Sequence, residues 1–241
     1  MRVLVVNGSP NGERGNTAIL THAFLEGATE AGAESKTIYL KDKQINHCVG
    51  CFSCWFRTPG TCVHQDDMPA LLDEMRQSDL IVYATPLYVY TVSGFMKDFL
   101  DRVIPLVQPF IEVKNGVCAH PGRTPRSAGV KSVVISNCGF PEQSHFDGLR
   151  QTFRCLFKSG LRDAGMICCS AGPMLNVPEM QAAVKWYLDA TRQAGREVVT
   201  DGCISEATQA ILDKPLIADS AAYAAALNER FREMGVKPIG E

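Results

Sequence analysis

Short, continuously apolar runs alternate with longer amphipathic stretches through most of this chain, and that alternation constrains the fold more than any other feature. Arg2–Asn7, Lys36–Leu40, Leu80–Thr85, Lys131–Ser136 and Met166–Ser170 read as strands. Asn16–Ala31, Asp66–Gln77, the segment opened by Ser93, His145–Lys158 and Pro178–Arg196 carry apolar residues at helical spacing. In the Ser93 helix the stripe runs Met96, Leu100, Val103, Val107, with Lys97 and Asp101 paired on the outer face. Strands without polar alternation are buried on both faces, so the sheet is parallel and sandwiched by helices. The expected class is α/β, a doubly wound five-stranded parallel sheet of order 2-1-3-4-5. Such sheets bind ligands outside the carboxyl ends of their strands, where the strand order reverses. Residues 1–196 are expected to form this domain. Residues 197–241 are Ala-rich and helical without a further strand, and read as an extension packing on the domain or on a second subunit.

Composition narrows the function classes. Lys and Arg number 24 against 26 Asp and Glu, a formal charge of −2, so bulk positive potential cannot drive nucleic-acid binding. No apolar run reaches the roughly 20 residues of a membrane helix. The first residues read as a strand rather than a secretion signal, and cytoplasmic is the expected location. In that compartment ten cysteines point to metal or redox chemistry rather than to disulfides.

After the first strand comes Gly8-Ser9-Pro10-Asn11-Gly12-Glu13-Arg14-Gly15-Asn16-Thr17. No Gly-Lys-Ser/Thr closes it, and its glycines miss the dinucleotide spacing. Small and hydroxyl residues leading into a helix N-terminus suit a terminal phosphate monoester; the alternative is an ordinary turn capped by Asn16. The third strand exits into Pro86-Leu87-Tyr88-Val89-Tyr90, whose backbone suits the edge of a heteroaromatic ring, although the tyrosines could equally pack or line a subunit contact. Phosphate loop and aromatic loop flank the same switch point. A planar ring with a phosphate tail is a mononucleotide, and FMN fits best.

Gly8-Ser9-Pro10 with Gly15-Asn16-Thr17, then Thr85-Pro86-Leu87-Tyr88 and Lys97-Asp98-Phe99-Leu100-Asp101-Arg102, resemble the NAD(P)H-dependent FMN reductases of the flavodoxin-like superfold over roughly residues 1–175. That resemblance implies noncovalent FMN, its phosphate on Ser9, Asn11, Asn16 and Thr17 and its ring on Pro86, Leu87, Tyr88 and Val89. The loop after the fourth strand, Asn137, Cys138 and Gly139, is a third expected contributor. No side chain is assigned a catalytic role, because the flavin carries the chemistry.

A cysteine-rich loop at 47–64 holds Cys48, Cys51, Cys54 and Cys62 in the pattern C-x2-C-x2-C-x7-C. Thr58-Pro59-Gly60 is a turn signal that returns Cys62 toward the others. Four thiolates suit a cubane cluster, and a C-x2-C-x2-C run is a cluster signature. Zinc, more often held by two separated knuckles, and free buried thiols stay open as alternatives. The loop is similar to the compact motif of the iron–sulfur flavoproteins, which implies a [4Fe-4S] cluster on these four residues beside FMN.

Weaker signals read as structure. Cys168-Cys169 lie on opposite faces of a strand, Asp66-Asp67 sit at a helix start, and His47, His64, His120 and His145 show no ligand spacing. Arg123 and Arg126 read as a solvated loop rather than as contacts to a dinucleotide phosphate. The expected function is an FMN-dependent oxidoreductase. It would take electrons from a nicotinamide dinucleotide or a protein donor and pass them to a small-molecule or protein acceptor, as a homo-oligomer. The alternatives are a cluster-free FMN or quinone reductase, a non-enzymatic FMN electron carrier, and a zinc-stapled regulatory module.

Overall fold

A computed structural model describes residues 1–114, 116–124, 129–158, 160–237 and 239. The chain runs β1 (Arg2–Asn7), α1 (Asn16–Glu30), β2 (Glu34–Tyr39), the single turn α2 (Ser53–Phe56), α3 (Met68–Gln77), β3 (Leu80–Pro86) and α4 (Gly94–Asp101). It continues through β4 (Glu112–Lys114), β5 (Val117–Ala119), β6 (Lys131–Asn137), α5 (Asp147–Lys158), β7 (Arg162–Cys169), α6 (Gln181–Thr200), α7 (Glu206–Leu212) and α8 (Ser220–Glu233).

The five long strands form one parallel sheet of order β2-β1-β3-β6-β7, the expected doubly wound arrangement and a flavodoxin-like fold. Its central strands β1, β3 and β6 are buried on both sides because each side carries its own core, alternate residues facing opposite ways. Val3, Val5 and Val82 pack with Phe24 of α1 and Tyr187 of α6; Leu4, Val6 and Tyr83 pack with Phe99 of α4 and Phe153 of α5. Cys168 and Cys169 fall on opposite sides, both buried, as expected of packing thiols. Burial pushes Cys168 up to about 12, which leaves it an unionised core residue.

α1 and α6 approach to backbone contact. A methyl group at Gly27 would come within 1.8 Å of the Arg192 carbonyl oxygen, and one at Gly195 within 1.9 Å of that of Phe24. The pairs Arg192–Glu26 and Arg196–Glu30 flank the crossing.

Three local expectations are corrected. The Ser93 helix ends at Asp101, so Val103 and Val107 leave its stripe; Pro105 lacks the N–H that would continue it, and a 3-10 turn over Ile104–Leu106 follows. The last strand starts at Arg162, not Met166, because its first half is a polar, exposed edge with a register shift near Gly165. β4 and β5 form an antiparallel hairpin that no periodicity announced. Among the described residues no helix is long and apolar enough to cross a membrane.

Candidate functional site

The carboxyl ends of β1, β3 and β6 bring the expected mononucleotide residues together. Asn137, the last residue of β6, is the hub: its Nδ2 donates to Thr17 Oγ1 at 2.7 Å, and its carbonyl accepts from Leu87 N–H at 2.8 Å. Buried Asn137 therefore ties the start of α1 through its side chain and the loop after β3 through its backbone carbonyl. Ser9 is buried, its N–H donating to Asn7 Oδ1 and its Oγ accepting from Asn11 N–H. Asn16 opens α1, and no side chain caps that helix, so Asn16 is not the cap of an ordinary turn. The first N–H groups of α1 thus lack the side-chain acceptor that an N-cap supplies. A cleft of about 450 Å³ opens beside this loop, lined by Pro10, Asn11, Glu13, Arg14 and Lys41. A helix N-terminus without a side-chain cap, beside hydroxyls and an open cleft, fits a phosphate monoester.

Ser93 locks the two principal loops to each other. Its Oγ donates to the Gly8 carbonyl at 2.6 Å and accepts from Met96 N–H at 3.2 Å, and its own N–H donates to Thr85 Oγ1 at 3.0 Å. Gly8 must be glycine for this approach, because a methyl there would lie 2.9 Å from Met96 Cβ.

Past Pro86 and Leu87 the chain makes a tight turn, closed by reciprocal backbone hydrogen bonds between Tyr88 and Thr91 at 3.0 and 3.1 Å. Its central residues, Val89 and Tyr90, both have positive φ, 46° and 65°. A β-branched residue in the left-handed region stores about 1–3 kcal/mol of strain, and such strain gathers at ligand clamps. Val89 is 89% exposed at the mouth of the site.

Cys138 is buried, its Sγ donating to the Phe140 carbonyl, and burial raises its pKa. The Gly139 carbonyl accepts from Tyr223 of α8 at 2.7 Å, so the C-terminal helix pins the third loop. Sequence reasoning missed an aromatic step beside it: the His145 ring stacks between Tyr90 at 5.9 Å and Phe140 at 5.0 Å, its Nε2 beside Glu142. No short-range pattern joins these residues; only the sheet brings their loops together.

The cysteine loop builds a second cavity, of about 80 Å³, with apolar walls. Cys48, Cys51, Cys54 and Cys62 all line it. Among the described residues no three His, Cys, Asp or Glu side chains are drawn close enough to hold a single ion. The thiols differ in state. Hydrogen bonds from Ser53 lower the Cys51 pKa, while burial and then the neighbouring Cys62 raise that of Cys54.

Asp66, at the start of α3 as expected, accepts from Met68 N–H and is also buried against Arg102, each side chain 1% exposed or less. Arg102 reaches its two oxygens at 2.8 and 3.1 Å and the Asn46 carbonyl at 2.6 Å. Burial opposes the Asp66 charge. Hydrogen bonds from Arg102, Asn46 N–H and Met68 N–H, with the guanidinium charge, outweigh it and hold the carboxyl well below the usual range. Asp67 accepts from Gln44 N–H. Both acids therefore tie down the approach to the cysteine loop. Arg123 is likewise not solvated: it donates to the carbonyls of Pro105 and Cys54 at 2.9 and 3.1 Å. Arg126 lies outside the described residues.

Comparison with known proteins agrees with the fold. Residues 1–119 match the family described as NADPH-dependent FMN reductase. The chain is 38% identical over 102 residues to an iron-sulfur flavoprotein of Archaeoglobus fulgidus, covering 42% of this chain and 48% of that one. A second iron-sulfur flavoprotein of that organism is 32% identical over 144 residues, covering 58% and 64%. The chain thus spans about half to two thirds of the length of these relatives. The fold is similar to that of an FMN-dependent NADH-azoreductase from Bacillus anthracis, with a TM-score of 0.59 at 14% identity, covering 84% of this chain and 99% of that one.

Proposed function

We propose that this protein is an FMN-dependent oxidoreductase that draws electrons from NADPH or NADH and delivers them to a second acceptor. The observation that carries the reading is the convergence on Asn137. One buried residue ties Thr17 of the uncapped α1 start, through its side-chain amide, to Leu87 before the strained turn, through its backbone carbonyl, and a mononucleotide needs both. Ser9, Asn11, Asn16 and Thr17 would hold the phosphate, the last two through the positive end of α1. Pro86, Leu87, Tyr88 and Val89 would support one edge of the ring, and Asn137, Cys138 and Gly139 another.

When bound, FMN supplies hydride acceptance from the nicotinamide and onward delivery of one or two electrons. The chain's part is positioning. The Ser93 hydroxyl holds the phosphate loop to the start of α4, and the Asn137 amide sets the spacing between loops. The Tyr88–Thr91 backbone hydrogen bonds and the Leu87 bond to Asn137 hold the strained turn in shape before the cofactor arrives, which reduces the ordering cost of binding. No side chain in the site is needed as a general acid or base.

The cysteine cavity is proposed to hold a [4Fe-4S] cluster on Cys48, Cys51, Cys54 and Cys62. Four thiols line one cavity, and their C-x2-C-x2-C run suits a cluster better than the two separated knuckles usual for zinc. When bound, the cluster supplies single-electron transfer. Residues 1–196 are taken as the cofactor-binding unit and 197–241 as a helical extension that steadies it, supported by the Tyr223 hydrogen bond to Gly139.

Steady-state oxidation of NADPH and NADH by the FMN-loaded protein tests this directly. Turnover is expected with a quinone or ferricyanide as acceptor. Flavin-loaded protein that oxidises neither nucleotide above background with any acceptor would contradict the enzymatic reading.

A further inference from the structure

The cysteine cavity contains two polar groups that the fold leaves unsatisfied. Arg102 is 1% exposed, and its two terminal nitrogens donate to Asp66 and the Asn46 carbonyl. Its Nε is buried without a partner. His64 Nε2 is also buried without a partner. Both residues line the cavity that the four cysteines share, and the Cys62 thiol lies beside the Arg102 guanidinium. A buried donor left unpaired costs about 1–3 kcal/mol, and native folds rarely tolerate two in one place. The rest of the wall offers them little, since Val49, Phe52, Val63, Ile104 and Pro105 supply it.

We infer that His64 and Arg102 Nε are built-in hydrogen-bond donors to the sulfurs of an iron–sulfur cluster in this cavity, and that they tune its reduction potential. The inference rests on the cluster reading given above and adds to it the residues that set the cluster's electronics. A tetrathiolate site concentrates negative charge in an apolar pocket, and such charge persists when buried only if it is hydrogen-bonded or paired. N–H donors aimed at sulfur stabilise the more negative, reduced state and raise the potential. Asp66 neutralises the guanidinium charge at its far end, so Arg102 acts here mainly through its Nε–H rather than as a net cation. Among the described residues His64 makes no hydrogen bond, so its removal strands no partner, whereas truncating Arg102 would strand a buried Asp66 carboxylate.

The test uses the full-length protein reconstituted anaerobically with iron and sulfide, in wild type, His64→Leu and Arg102→Lys. Iron and sulfide per chain, the rate of iron release to a chelator, the midpoint potential of the cluster absorbance and the melting temperature are measured for each. Wild type is expected to take up iron and sulfide. His64→Leu should load and melt like wild type, yet release iron on the order of 10-fold faster and show a lower midpoint. Arg102→Lys should shift the same way; should it fail to fold, His64→Leu decides alone. A merely structural role would move the melting temperature and leave the midpoint in place. Iron-loaded variants with wild-type midpoints and release rates would overturn the donor assignment while leaving the cluster standing. A wild-type protein that takes up no iron would overturn the cluster reading, and the donor assignment with it.

Discussion

Single side chains at the junctions carry much of this site. Ser93 satisfies the Gly8 carbonyl and Met96 N–H at once, so Ser93→Ala leaves two groups in a buried junction without their partner. It should cost about 1–3 kcal/mol in chemical denaturation and weaken FMN binding, with the fold retained. Asp66→Asn removes the charge that pairs Arg102 and is expected to cost about 3–5 kcal/mol. The pH dependence carries a sign. Because the Asp66 carboxyl is held below its usual range in the folded state, its contribution is complete above the ordinary carboxylate pKa, near 4, and is lost as pH falls below it. Acid denaturation of wild type should therefore be steeper than that of Asp66→Asn, read by circular dichroism between pH 5 and 2. Ser9, Asn11, Asn16 and Thr17 were legible in sequence because a phosphate loop is local. The partners of Asp66 and Arg102 were not, because a bond across 36 residues leaves no periodic trace.

At the scale of elements, hydrophobic period sufficed where an element is continuous, and punctuation decided where it stops. β1 is found where its apolar run lies, and α4 stops where Pro105 denies it a donor rather than where its stripe ends. The β4–β5 hairpin and the polar start of β7 escaped notice because three-residue strands and exposed edges have no apolar period to read. α7 is held by a device equally invisible in one dimension. Burial opposes the Glu197 charge, but hydrogen bonds from Ser205 N–H, Thr208, Gln193 and the Ser205 hydroxyl hold its pKa below normal. Glu197→Ala should accelerate amide exchange throughout α7 while leaving the amides of β1 protected, measured by hydrogen–deuterium exchange. At the α1–α6 crossing, Gly195→Ala should push the helices apart and cost about 1–3 kcal/mol, read as a lowered denaturation midpoint.

For the whole molecule, the strand order β2-β1-β3-β6-β7 is what turns scattered residues into a site. It sets the loops after β1, β3 and β6 side by side at one edge, where Thr17, Leu87 and Asn137 meet across as many as 120 residues. That architecture was readable because parallel α/β sheets leave a strong one-dimensional signature. The aromatic step of Tyr90, His145 and Phe140, and the α8 latch on Gly139, were not readable, since each exists only once the edge has formed. The central claim is that this edge grips a flavin mononucleotide by its phosphate and its ring. Titration of FMN into cofactor-free protein, followed by quenching of flavin fluorescence, tests it most directly. Saturable quenching at one FMN per chain, weakened at least 10-fold in Asn137→Ala, is the predicted result; fluorescence that stays at the level of free FMN across the titration would contradict it.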